Sequence, residues 1–238
     1  MRPFPSIRGV TFDAAGTLFF PSPSVGAVYS EIMGRFGLKL APDALNKAFI
    51  KSLKAAEKDW FIEDPERREW EFWRSIVSGI VQDLAELPEN FDDLFHALWT
   101  EFAKGSRWKL NTETLATFDL LASRGIKIAL LTNWDRRVKN VVSDHKLDSR
   151  FCRLFISSEA GLEKPDRRFF EFASNEMGMQ PYEMLHIGDQ LKQDFHGARD
   201  SGWKALLLSS KPENRSNPHA IQHLLEIRDH VHERNMPT

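Results

Sequence analysis

Hydrophobic and polar positions along this chain change their period near Trp108. Before it, apolar residues recur every three or four places. Val25, Val28, Tyr29, Ile32, Met33 and Phe36 fall on one helical stripe, stopped by Gly37. Leu45, Phe49 and Leu53 continue the pattern after Pro42-Asp43, and Pro65-Glu66 opens a helix carrying Trp70, Trp73, Ile76 and Val77. Phe91, Leu94, Phe95, Leu98 and Phe102 mark another. Four or five helices with no strand between them predict an all-α insert over residues 21–107. Five of the seven tryptophans lie between Trp60 and Trp108, and they are expected to build the core of that insert.

From Trp108 onward helix and strand patterns alternate with short connections. Helices are predicted over residues 112–124, 135–145, 166–177 and 194–200, and strands over 126–133, 154–157, 184–189 and 203–208. An earlier apolar run, Gly9-Val10-Thr11-Phe12, ends in Asp13 and a small-residue turn, which reads as another buried strand. Residues 1–20 and 108–238 are therefore expected to fold as one α/β core, a doubly wound parallel sheet covered on both faces. A final helix is predicted over residues 220–231.

The 238 residues carry 32 Lys and Arg against 34 Asp and Glu, a net charge of −2. That balance gives no basic surface for nucleic acid or anionic membrane. The pairs Arg67-Arg68, Arg136-Arg137 and Arg167-Arg168 are diluted by acidic or apolar neighbours and read as solvated helix faces. Cys152 is the single cysteine, so no intramolecular disulfide forms, which fits a reducing compartment. No run approaches the ~18 apolar residues of a membrane span. The expectation is a cytoplasmic monomer or homodimer.

In parallel sheets of this kind ligands bind at the carboxyl ends of the strands. Asp13 ends the first strand, Thr132-Asn133 another and Asp189 a later one, with Asp194 five residues on and Lys164-Pro165 in the loop after the Phe155 strand. Taken singly, Asp13 and Asp189 read as turn caps, Lys164 as a surface lysine and Thr132 as a strand-end hydroxyl. Converging at one edge, they fit Mg²⁺-assisted phosphoryl transfer. Carboxylates hold the ion, one carboxylate attacks, and a lysine with a hydroxyl neutralises the phosphoryl oxygens.

The order Asp13…Gly16-Thr17-Leu18, Leu131-Thr132-Asn133, Lys164-Pro165 and Gly188-Asp189-x-x-x-x-Asp194 resembles the four motifs of the haloacid dehalogenase-like hydrolase superfamily. The helical insert is similar to the small α-helical cap of its first subfamily. Asn133-Trp134-Asp135-Arg136-Arg137 and Ser157-Ser158-Glu159-Ala160-Gly161 further resemble the branch containing its "domain-containing protein 3" and rhythmically expressed gene-2-like members. The resemblance implies a Rossmann-like core and a small phosphorylated metabolite as substrate. Asp13 would be the nucleophile that forms an aspartyl-phosphate. Asp13, the main-chain carbonyl of Ala15 and Asp189 would bind Mg²⁺, with Asp194 in or just behind that shell. Thr132 would hydrogen-bond a phosphoryl oxygen, Asn133 and Thr17 would bind substrate, and Lys164 would pair with the nucleophile and the phosphoryl group.

The chain departs from that pattern at one place. Phosphatases of the superfamily carry a second aspartate two residues after the nucleophile, as acid and base, where this chain has Ala15. Positioned proton transfer is commonly worth ~10²–10⁴-fold, so leaving groups of low pKa suffer least from its loss. Three readings follow: a phosphatase for substrates with good leaving groups, such as acyl or aryl phosphates; a phosphonoacetaldehyde-hydrolase-like or dehalogenase enzyme; or a catalytically impaired member that binds a ligand or protein. The second would need a Schiff-base lysine, for which Lys47, Lys51, Lys54 and Lys58 lie on cap helices. Arg35, Lys51, Lys54, Trp60 and His96 are candidates for selecting substrate.

Overall fold

The computed structural model describes residue 4, residues 7–214 and residues 216–231. The chain begins with strands β1 (Gly9–Phe12) and β2 (Phe19–Pro21), then runs through four helices, α1 (Val25–Arg35), α2 (Pro42–Ala55), α3 (Pro65–Leu84) and α4 (Phe91–Glu101). After β3 (Trp108–Leu110) it alternates: α5 (Thr114–Ser123), β4 (Lys127–Thr132), α6 (Arg137–Asp144), β5 (Arg153–Ile156), the short α7 (Ser157–Ala160), α8 (Arg167–Met177) and β6 (Met184–Gly188). The last elements are α9 (Gly197–Asp200), β7 (Lys204–Leu208) and β8 (Ala220–Ile221). Two compact units result. One comprises Met1–Phe19, Leu110–Asn133 and Leu147–Thr238, the other Phe20–Lys109 and Trp134–Lys146.

The first unit holds a six-stranded sheet in the order β5-β4-β1-β6-β7-β8, with every pairing parallel. Side chains alternate between its faces. On one, the Phe12 ring lies 5.3 Å from Phe118 of α5. On the other, Thr11 stands opposite His186 of β6, whose ring meets Phe170 of α8. Ala129 and Leu131 of β4 join Phe169, Phe170 and Ala173 of α8 in the core of that second face. Both faces are covered, as a parallel sheet of continuous apolar strands requires. This is the doubly wound α/β fold expected from the pattern.

In the helical unit, Val28, Ile32 and Met33 of α1 pack with Leu45 of α2, Ile80 of α3 and Leu94 and Leu98 of α4. Fully burying a side chain of this kind contributes ~1.5–3 kcal/mol. Ser24 caps α1, its hydroxyl accepting from the Ala27 amide at 3.1 Å, and Asp64 with Pro65 opens α3. Residues 134–146, expected with the sheet, group with these helices. Arg137 stacks 3.4 Å over the Trp99 ring and donates to the Trp99 carbonyl, and the Gly105 amide donates to Asp144.

Three local expectations need correction. The predicted helix over residues 220–231 is instead β8, paired in parallel with β7, followed by a 3-10 turn at Leu224–Asp229. The apolar spacing of Ile221, Leu224, Ile227 and Val231 suits either helix type. What starts the turn late is Glu226, whose carboxylate takes the Gln222 and His223 amides and frees Ala220 and Ile221 to extend the sheet. The helix predicted at residue 194 begins earlier, as a π-helical turn over Leu191–His196. Trp60 is not core: it is 55% exposed, under the Arg68 guanidinium, beside a fully exposed Phe61. Among the described residues, no helix is long and apolar enough to cross a membrane.

Candidate active site

The strand order changes direction around β1, and there the carboxyl ends of β1, β4 and β6 lie side by side. Crevices of this kind are where doubly wound sheets hold ligands. β1 delivers Asp13, whose amide donates to the Ile187 carbonyl of β6 at 2.8 Å. The chain then turns back sharply, the Ala14 carbonyl accepting from the amides of Leu18 and Phe19. Gly16 makes that turn possible: its φ is +89°, and a Cβ there would stand 2.8 Å from the Asp189 carboxyl carbon. At Gly188 a Cβ would stand 2.1 Å from the Asp194 carboxyl carbon, so β6 must end in glycine for that carboxylate to fold back against it.

Lys164 is not a surface lysine. It is 2% exposed, with Nζ donating to Asp13 Oδ1 at 2.7 Å and to Asp194 Oδ1 at 2.6 Å. Asp13, Asp189 and Asp194 each place a carboxylate oxygen within 4.8 Å of the others. Their remaining partners differ. Asp194 Oδ1 also accepts from His186 Nε2 at 3.1 Å, and its Oδ2 accepts from the Gln190 amide at 2.8 Å. Asp189 Oδ2 accepts from Gln190 Nε2 at 2.5 Å, but its buried Oδ1 has no protein partner.

Burial opposes every charge in this cluster, and the neighbours decide which survives. Burial raises the pKa of Asp13, with Asp194 adding to the rise and Lys164 opposing it. Burial, Asp13 and Asp194 push Asp189 up to about 7. Asp194 ends well below the usual carboxylate range, because Lys164 and His186 outweigh its burial. Lys164 ends above its ordinary value, since its two carboxylates outweigh the cost of burying the ammonium. His186 is depressed by burial and by Lys164, and stays neutral. Its Nε2 faces a carboxylate and so carries the proton, while Nδ1 accepts from Thr11 Oγ1 at 2.8 Å.

Three carboxyl groups stand against one ammonium, and one buried carboxylate oxygen is without a donor. Both features fit a hard divalent cation. The side chains that could hold it are those of Asp13 and Asp189, and Ala15, an exposed residue of the turn, could add its main-chain carbonyl. Asp194, with donors on both oxygens, is better placed to orient Lys164.

The other expected residues are distributed as follows. Thr132 is buried at the carboxyl end of β4. Asn133 is exposed, but its amide is engaged: Oδ1 accepts from the Lys164 amide and Nδ2 donates to the Lys164 carbonyl, each at 2.8 Å. Thr17 is fully enclosed and has no surface through which to meet a ligand, so the structure gives no support to its expected contact with substrate. In the helical unit Lys51 is paired with Asp83 and Lys58 with Glu69, while Lys47 and Lys54 are exposed. Thr11, His186 and Gln190 were not foreseen. A lone histidine inside the apolar run Met184-Leu185-His186-Ile187 was the available signal for one of them.

Fold and site together define an α/β protein with a carboxylate–lysine centre at the sheet edge. A family model for haloacid dehalogenase-like hydrolases matches residues 7–202, and the chain belongs to that family of hydrolases. It is similar to haloacid dehalogenase-like hydrolase domain-containing protein 3 of Bos taurus, 26% identical over 94% of this chain and 95% of that one. It is also similar to the Rhythmically expressed gene 2 protein of Drosophila melanogaster, 28% identical over 89% and 86%. Among solved structures, the putative HAD-hydrolase YfnB from Bacillus subtilis, bound to magnesium, matches with a TM-score of 0.72 at 16% identity, over 93% of this chain and 96% of that one. A HAD phosphatase from Thermococcus onnurineus matches with a TM-score of 0.65 at 19% identity, over the same shares. These two likenesses bear on the fold.

Proposed function

We propose that this hydrolase is a Mg²⁺-dependent phosphatase of the reducing cytoplasm, taking a small phosphorylated metabolite whose leaving group needs little protonation. The observation that carries the reading is the salt bridge between Lys164 Nζ and Asp13 Oδ1, buried and flanked by two more carboxylates. The bridge aims an Asp13 oxygen and provides a fixed cation for the phosphoryl oxygens. In the first step Asp13 attacks phosphorus and the leaving oxygen departs with the bonding electrons. Lys164 offsets the charge gathering on the transferred group, and the Thr132 hydroxyl donates to one of its oxygens. Asp13, Asp189 and the Ala15 carbonyl would hold Mg²⁺, which would supply further positive charge. Ala15 offers no proton, so aryl and acyl phosphates are favoured over alkyl ones. The test is hydrolysis of p-nitrophenyl phosphate with MgCl₂. Activity that Asp13→Asn abolishes supports the reading, whereas activity that survives Asp13→Asn refutes it.

A further inference from the structure

We infer that the phosphoryl group taken up by Asp13 is discharged slowly, so that the phosphorylated protein accumulates when it is charged by mixed anhydrides such as acyl phosphates. This rests on Asp13 being the nucleophile, and it concerns the second half of the reaction. Charging forms a bond from an Asp13 carboxylate oxygen to phosphorus and breaks the bond from phosphorus to the acyl oxygen. The electron pair leaves on a carboxylate, and no proton has to move. Discharge differs. A water oxygen must bond to phosphorus and give up a proton as the bond to Asp13 breaks and its carboxylate is restored. That proton needs an acceptor within hydrogen-bond reach.

Among the described residues of the sheet-bearing unit, the titratable groups around Asp13 offer water no open acceptor. Lys164 donates to two carboxylates and presents no lone pair. Asp194 accepts from Lys164 and His186 on one oxygen and from the Gln190 amide on the other, and is 1% exposed. His186 has no exposed surface, its two ring nitrogens facing Thr11 and Asp194, so water cannot reach it. Asp189 has one oxygen on Gln190, and its other is the one left for a cation. Ala15, exposed at the turn, has only a methyl group. Among the described residues of the sheet-bearing unit, none of these groups stands ready to take the proton from water. The two half-reactions are thereby uncoupled: the first is equipped, the second is not.

The full-length protein with MgCl₂ is incubated with acetyl phosphate, quenched in acid and mapped by mass spectrometry. One PO₃ group is expected on the peptide containing Asp13, persisting after excess acetyl phosphate is removed. Rapid mixing with p-nitrophenyl phosphate should give a burst of about one nitrophenolate per chain before a slow steady state. Ala15→Asp should speed loss of the label by ~10²-fold or more. Turnover that Asp13→Asn abolishes, but with neither burst nor label, would overturn the inference and leave Asp13 as nucleophile. A label still present in Asp13→Asn would overturn both.

Discussion

Asn133 closes a two-hydrogen-bond ring with the main chain of Lys164, its Oδ1 accepting from the amide and its Nδ2 donating to the carbonyl. This ties the end of β4 to the loop that carries the lysine and fixes where Nζ reaches. Asn133→Ala should therefore lower kcat about tenfold or more through misplacement of the ammonium, with little change in KM. Steady-state kinetics decide the point. A raised KM at constant kcat would show Asn133 contacting substrate, as its place in the motif implied.

Asp189 makes metal binding a competition with protons. Its carboxyl, pushed up to about 7 chiefly by burial, must lose its proton to accept a cation. Mg²⁺ affinity should fall about tenfold per pH unit below 7 and level off above it. Calorimetric titrations between pH 6 and 8.5 measure this, and a flat profile would contradict it.

The same shift acts on stability. A carboxyl whose pKa is raised on folding binds a proton in the native state between its ordinary value of 3.8 and about 7, while the unfolded chain has released it. Metal-free stability therefore falls as pH rises through that window. Asp189→Asn removes the penalty and should melt several degrees higher than wild type at pH 7.5 without metal. It should also gain nothing from MgCl₂, which should stabilise the wild type. Thermal scans with and without the ion test both halves.

His186 works in the opposite sense. Its pKa is depressed below 6.5 by burial and by Lys164, so the unfolded chain takes up a proton that the native state resists. Its contribution is whole above pH 6.5 and is lost as pH falls below that value. His219 and His230 share the direction, also because of burial. Denaturation midpoints at pH 7.5 and 5.5 should differ less in His186→Gln than in wild type. Equal differences would show the histidine to be silent.

In the helical unit, Asp135 is fully buried and accepts from Nε and Nη2 of Arg137, one on each carboxylate oxygen. Arg137→Ala leaves that carboxylate without a counter-charge, with the main-chain amide of residue 137 still donating to it, and should cost ~3–5 kcal/mol. Chemical denaturation measures it. A loss below about 1 kcal/mol would mean that water reaches Asp135.

The alternation of apolar strands and amphipathic helices after Trp108 was enough to read the parallel sheet, because buried parallel strands admit few other patterns. Asp13 and Asp189 were legible because they follow strand ends, and Lys164 because it stands with Pro165 in the loop that follows β5 and α7. The grouping of residues 134–146 with the helices was not, since it depends on contacts such as Arg137 on Trp99 between residues far apart in sequence. The Thr11–His186–Asp194 chain escaped for the same reason. Its members sit on different elements, and only the strand register sets Thr11 opposite His186. Ala220 and Ile221 show the limit of periodicity, which cannot tell an edge strand joined to a 3-10 turn from one short α-helix.

Calorimetric titration of MgCl₂ into the metal-free protein at pH 8 probes the acidic centre most directly. One ion should bind per chain, and Asp189→Asn should abolish the signal, while Asp194→Asn, lacking a donor-free oxygen to lose, should retain most of it. Binding unaffected by Asp189→Asn would place the ion elsewhere and remove the basis for assigning Asp13 its role.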